Sequence, residues 1–186
     1  MTGRRCEVVG VGPIPEQSIR QLLTEADITL VITGPDGQPV AVHHTIRAAP
    51  PPDQPGQPCE PGGRHRGKST PPGDLIERLL NAPTENLDHG RTRRLASNAQ
   101  WKALLTRSGG TCEIPGCTTA YWRCDTHHLE PWEHGGPTDL AKLFLTCPYH
   151  HHHVLHAGYT LTRHPHRWQL HRPNGTPIPT PYGNRT

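Results

Sequence analysis

Long apolar runs are missing from this chain. Of its 186 residues only 32% are hydrophobic and 5% aromatic, with a single Phe and a single Met, so there is material for one small core and little more. No stretch approaches the roughly 20 apolar residues that a spanning helix needs, and no membrane partner is expected. The opening MTGRRCEVVGVGPIP has a basic start but no apolar run before Pro13, so no secretory signal is read and a cytoplasmic location is expected. An excess of one charge is lacking too. With 19 Lys and Arg against 16 Asp and Glu the formal charge is +3, which permits a nucleic-acid partner without demanding one.

Proline, glycine, histidine and cysteine are abundant instead. Pro (22) and Gly (19) concentrate in AAPPPDQPGQPCEPGGRHRGKSTPPG, residues 48 to 73, the composition of a disordered linker. Before it, IPEQSIRQLLTEA (14 to 26) carries apolar residues at helical spacing, and ITLVITGPDGQPVAV reads as two short strands about a Gly-Pro-Asp-Gly turn, so 1 to 47 is expected to form a helix plus a hairpin. After the linker, residues 74 to 96 offer a short helix, DLIERLL, and a basic cluster in which Arg91, Arg93 and Arg94 are either a solvated face or phosphate contacts. SNAQWKALLTRSGG follows, a helix with Ser97 as N-cap and Gly109-Gly110 as its stop. YTLTRHPHRWQLHRPNG alternates about His164-Pro165 as a closing hairpin, and the tail from 176 to 186 is expected to fray. The fold class read from this order is α+β.

A fold this small needs help beyond its apolar surface, from disulfides, a metal or a partner. Cys112, Cys117, Cys124 and Cys147 lie close together among histidines, which favours metal over disulfides. Cys112 and Cys117 flank a Pro-Gly turn, and Cys147 with His150 forms a second short-spaced pair. Two such pairs across a longer loop are the arrangement of a tetrahedral structural Zn²⁺. Cys124 stands apart and is expected to pack beside the first strand of the module, while Cys59 in the linker is read as a bystander. Between the pairs, Asp125-Thr126-His127-His128-Leu129 is an extended segment that sends His127 and His128 to opposite sides. LFLTC is a second strand, and a helix opens at Pro148.

Cys-x4-Cys, DTHHLEPW, the GGPTDL loop, LFLTC and the histidine-rich helix, in that order over residues 97 to 175, resemble the HNH endonuclease family. The resemblance implies a small zinc-clamped ββα-metal module that hydrolyses DNA phosphodiester bonds. CEVVGVGPIPEQSIRQLLTEADITLVI is similar to the end of a helical region that precedes the module in some bacterial members, so the chain is expected to begin within that architecture. Carried over by position, the resemblance makes His128 the general base and His127 its neighbour on a catalytic divalent metal (Mg²⁺, Mn²⁺, Ni²⁺ or Zn²⁺), leaving 5′-phosphate and 3′-hydroxyl ends. DNA is the implied partner.

Two points separate this chain from the family pattern. Lys142 stands where the family asparagine belongs, and an ammonium group has no acceptor with which to bind metal or brace a loop. Asp125 or Asp139 could compensate, Lys142 could contact phosphate, or the module could keep its fold as an inactive, zinc-held nucleic-acid-binding unit. In TCPYHHHHVLH, residues 146 to 156, the family spacing from Cys147 gives His150 and His151 and then Leu155, which cannot bind metal. Starting one residue later gives His151, His152 and His156. The reading taken is His150 on the zinc and His156 with His151 or His152 on the second metal, with His153 facing solvent.

Overall fold

A computed structural model of the chain describes residues 7–8, 12–13, 15, 18, 26–47, 72–164 and 167–179. Most of the helix expected over 14 to 26, all but residues 15, 18 and 26, and nearly all of the expected linker lie outside these residues. The strands are β1 (Glu7–Val8), β2 (Gly12–Pro13), β3 (Asp27–Ile28), β4 (Val31–Thr33), β5 (Pro39–Val42), β6 (Ile46–Arg47), β7 (Asp125–His128), β8 (Leu143–Thr146), β9 (Thr160–His164) and β10 (Arg167–His171). The described residues also form α1 (Pro72–Asn81), α2 (Asn98–Ser108), short 3-10 turns at Tyr121–Arg123, Trp132–His134 and Leu140–Lys142, and a π-helical turn over His150–Leu155. Among the described residues every sheet is an antiparallel pair: β1 with β2, β3 with β6, β4 with β5, β7 with β8 and β9 with β10. The mixture is α+β, as the sequence implies.

Two compact units divide the chain. The first comprises Met1–Leu30 and His43–Thr84, the second Val31–Val42 and Glu85–Thr186. In the first, β3 pairs with β6, and His43 bridges to Thr84 while its Nδ1 lies 2.8 Å from the carbonyl of Ala82 at the end of α1. Helix α1 starts at Pro72, inside the stretch read from composition as linker; proline at a first helical position costs nothing, because its missing N–H would have no partner there.

The second unit holds the core. Ser97 caps α2 reciprocally: its hydroxyl accepts from the Gln100 backbone N–H, and the Gln100 side chain accepts from the Ser97 N–H. The helix stops at Gly109, whose φ of 63° is the left-handed conformation glycine adopts without strain. Ala99, Ala103 and Leu104 of α2 are buried together with Val42 of the β4/β5 hairpin and all four residues of β8. Strand β8 is buried along its whole length, with apolar side chains at Leu143, Phe144 and Leu145. Its Phe144 ring lies 5.8 Å from Trp168 of β10 on one side and 5.3 Å from His127 of β7 on the other.

One charged pair lies inside this core. Arg107 of α2 forks onto Glu113, with Nε to Oε1 at 2.8 Å and Nη2 to Oε2 at 2.9 Å, and both side chains are almost completely buried. The carboxylate also accepts from the Leu145 N–H at 2.7 Å and from the Trp168 indole at 3.0 Å, and Arg107 Nη2 reaches the Leu143 carbonyl at 2.6 Å. Residues 176–179, placed by sequence in a frayed tail, fold back instead: the Ile178 N–H donates to the Leu170 carbonyl, and the Gln169 amide donates to the Ile178 carbonyl.

Removing one partner of a buried ion pair leaves the other charged and unpaired. Glu113→Ala is therefore expected to lower the unfolding free energy by about 3–5 kcal/mol in urea titrations. Ser97→Ala, which removes only a cap, is expected to cost about 1 kcal/mol in the same measurement.

Candidate metal centre and the adjoining cleft

The turn from Cys112 to Cys117 is built by backbone hydrogen bonds: the Cys117 N–H donates to the Ile114 carbonyl, and the Cys112 N–H to Thr119. It is tied to β8 by the Glu113 N–H, which donates to the Leu145 carbonyl. Because β8 runs straight into Cys147, this tie delivers the second pair of donors to the first. Cys112, Cys117, Cys147 and His150 come together with their donor atoms all within 4.8 Å of one another. Cys117 Sγ and Cys147 Sγ are 4.0 Å apart, while His150 Nδ1 is 3.3 Å from Cys147 Sγ and 3.8 Å from Cys112 Sγ. Donors on a tetrahedral zinc, with Zn–S near 2.3 Å and Zn–N near 2.0–2.1 Å, stand roughly 3.3–3.8 Å apart. The donor set and its spacing fit that ion, and the four residues are those the sequence singles out.

The chemistry of these groups suits metal binding. Burial pushes the Cys112 thiol well above its ordinary range, so a cation that takes up this sulfur also displaces its proton. Burial acts upward on Cys147 as well, but the His150 backbone and the side chains of Thr119, Cys117 and Cys112 outweigh it and leave the thiol below its usual value. Burial lowers His150, keeping its imidazole neutral with a lone pair to give. Cys124 behaves differently. It is buried, its sulfur lies 3.5 Å from the Ala120 carbonyl, and burial raises it to about 11, the state of an inert neutral thiol.

Beside the centre a cleft of about 1080 Å³ runs past β7, the start of α2 and the π-helical turn. His127, His128, Trp132, His151 and His156 line it. Strand alternation separates the two adjacent histidines as expected: the His127 ring stands 4.7 Å from His151, whereas His128 turns toward Trp132, 5.9 Å away, and Thr138. Burial lowers His127 to about 4, helped by the charges that His151, His128 and His156 would carry. Burial lowers His128 too, with the neighbouring Arg94 adding to the effect. Both rings are neutral at physiological pH and present lone pairs.

The histidine run winds as a π-helical turn. A π turn widens the helix by one residue and aligns i with i+5, so His151 and His156 meet with ring centroids 4.9 Å apart, while His152 and His156 remain neighbours at 5.7 Å. His151, His152 and His156 form a second group whose ligand nitrogens lie within 4.8 Å of one another. His150 keeps its normal spacing from Cys147, and the extra residue is absorbed after it. His153 is exposed.

The basic residues separate into two kinds. Arg91 donates to the carbonyls of Trp132 (2.6 Å) and Gly136 (3.1 Å) and stacks on the Trp132 ring at 3.7 Å, and Arg94 pairs with Glu133 at 2.9 Å. Both side chains thus hold the loop that follows β7. Arg93 and Lys142 are exposed. At Lys142 it is the backbone that braces the base of this loop, its carbonyl accepting from the Leu129 N–H at 2.8 Å. Asp139 braces the neighbouring turn, accepting from the Gly90 N–H at 2.7 Å. Sequence reasoning passes over three residues that organise this region: Gln100, Trp132 and Thr138. For Gln100 a signal exists, since Ser97-Asn98-Ala99-Gln100 is a capping box. The other two acquire partners only through the fold.

A scan against family models and searches of curated proteins and of solved structures each returned no match for this chain. No helix among the described residues is long and apolar enough to cross a membrane.

Titration of the metal-free chain with Co²⁺ is expected to produce the intense visible bands of a tetrahedral thiolate-rich site, saturating at one equivalent before weaker histidine binding. Cys112→Ser and Cys147→Ser should weaken that step by at least tenfold, and Cys124→Ser should leave it unchanged.

Proposed function

We propose that the chain is an HNH-type endonuclease, a metal-dependent hydrolase of DNA phosphodiester bonds built on a small zinc-held module. The observation that carries this reading is the placement of His127 and His128 on β7 across one cleft from His151 and His156 of the π-helical turn. His127, His151 and His156, with His152 beside them, would hold a divalent cation by neutral imidazole nitrogens. An all-imidazole set favours Zn²⁺ or Ni²⁺ over Mg²⁺ or Mn²⁺. Such a cation, when bound, stabilises charge on the scissile phosphate and on the departing 3′ oxygen.

The protein's own groups do the rest. His128, held away from His127 by strand alternation, takes the proton from the attacking water. Its neutral state, favoured by burial and by Arg94, keeps a lone pair available for that step. Arg93 and Lys142, both exposed, would meet backbone phosphates, while Arg91 and Arg94 keep the loop beside His128 in place. The thiols at Cys112, Cys117, Cys124 and Cys147 are free, which suits work in a reducing compartment such as the cytoplasm.

A second reading is a zinc-held nucleic-acid-binding module without catalysis, favoured by Lys142 in the position of the family asparagine. The two readings part in one experiment. Incubated with plasmid DNA and Mg²⁺, Mn²⁺, Ni²⁺ or Zn²⁺, the zinc-loaded chain is expected to cut, and His128→Ala to cut roughly 10²–10⁴-fold more slowly. Salt-sensitive DNA binding with no cutting under any metal would leave the second reading in its place.

A further inference from the structure

The hydroxyl of Thr138 touches two groups of opposite character. Its Oγ1 lies 3.0 Å from His128 Nε2 and 3.2 Å from the backbone carbonyl of Arg94. A carbonyl can only accept, and a threonine hydroxyl has a single proton. When both bonds are made, that proton goes to the Arg94 carbonyl, and Oγ1 can only accept from His128. The imidazole must then carry its hydrogen on Nε2 and its lone pair on Nδ1.

We propose that Thr138 is a positioning residue that fixes the tautomer of His128 and so selects Nδ1 as the nitrogen available to take a proton. This rests on the reading of His128 as general base. Thr138 does not line the cleft, whereas His128 does, so the threonine acts through the imidazole and not on a substrate.

The placement of the threonine is over-determined by its backbone. Thr138 is fully buried, its N–H donates to the Gly90 carbonyl at 2.7 Å, and its own carbonyl accepts from the Gln100 side chain at 2.8 Å and the His89 N–H at 3.1 Å. The Arg94 carbonyl is held as well, because Arg91 and Arg94 of the same segment are fastened to the 132–136 loop. The threonine and the carbonyl to which its hydroxyl donates are therefore both held independently of the imidazole. An ordinary buried threonine needs only one partner; this one is placed between an obligate acceptor and a ring whose donor nitrogen it thereby chooses.

The test compares the full-length, zinc-loaded chain with Thr138→Ser and Thr138→Val. Imidazole ¹⁵N shifts are read at a pH where His128 is neutral, with the His128 signals assigned by their loss in His128→Ala. Wild type and the serine variant are expected to show the single Nε2–H tautomer, and the valine variant a mixture. In DNA cleavage, the valine variant is expected to lose roughly 10–100-fold in kcat with KM little changed, and serine to restore the rate. An unchanged tautomer in the valine variant, or Nδ1–H in wild type, overturns the proposal. If the valine variant fails to retain zinc, the serine variant decides alone: loss of the Nε2–H form there also overturns it. A tautomer lost in valine and kept in serine, in a protein that cuts no DNA, would uphold the role of Thr138 while rejecting the nuclease reading.

Discussion

Four hydrogen-bond donors converge on the two oxygens of Glu113 from three elements: the two arms of Arg107 from α2, the Leu145 N–H from β8 and the Trp168 indole from β10. Taking a carboxylate and a guanidinium out of water costs several kcal/mol per ion, and only near-complete satisfaction offsets it. Here the fork is bidentate and the remaining lone pairs are filled, so the geometry of the pair dictates where the helix, the strand and the closing hairpin stand. Glu113 also adjoins Cys112. Leu145 makes both ties: its N–H donates to the Glu113 carboxylate, and its carbonyl accepts from the Glu113 N–H, setting the Cys112–Cys117 turn against β8, which runs into Cys147. The positions of the donor atoms of the candidate metal group are thus inherited from a neighbouring ion pair.

From that frame the cleft follows. Strand β7 pairs with β8 in a register that sets His127 opposite Phe144 and His128 opposite Leu143, and a buried partner strand leaves β7 to face the cleft. The helix after Cys147 then has to serve two masters, with His150 directed to the thiols and later histidines directed to His127. A regular α-helix has no residue to spare for both, and a local π turn inserts one. The widened turn is less favourable than α-helical winding, and it persists here where the chain is fastened at Cys147 on one side and by the bond from the Tyr159 N–H to Val154 on the other.

Local features of the fold were legible where one short segment carries its own instruction. The hairpin about Gly34 to Gly37, the helix between Ser97 and Gly109 and the hairpin β9/β10 all follow from turn residues, caps and alternation within a few positions. So did the membership of the Cys112, Cys117, Cys147 and His150 group, because ligand spacing is a property of the chain itself. Other features depended on partners distant in sequence. Arg91 and Arg94 read as a basic cluster open to phosphate, yet their guanidinium groups meet Trp132, Gly136 and Glu133 some forty positions on. Composition places residues 176–179 in a tail, but the carbonyl and N–H groups of β10 and its flank hold them.

By itself the sequence determined an α+β chain with a zinc-type donor set and two adjacent histidines on opposite sides of a strand, because periodicity, capping and ligand spacing are all short-range. Only the tertiary structure decided which histidines meet and which nitrogen of His128 is free. The first depends on a π turn, an energetic compromise between two fastened ends that no local propensity encodes. The second depends on a buried hydroxyl whose single proton is committed to a carbonyl forty-four positions away, a count of donors and acceptors that exists only once the chain has folded.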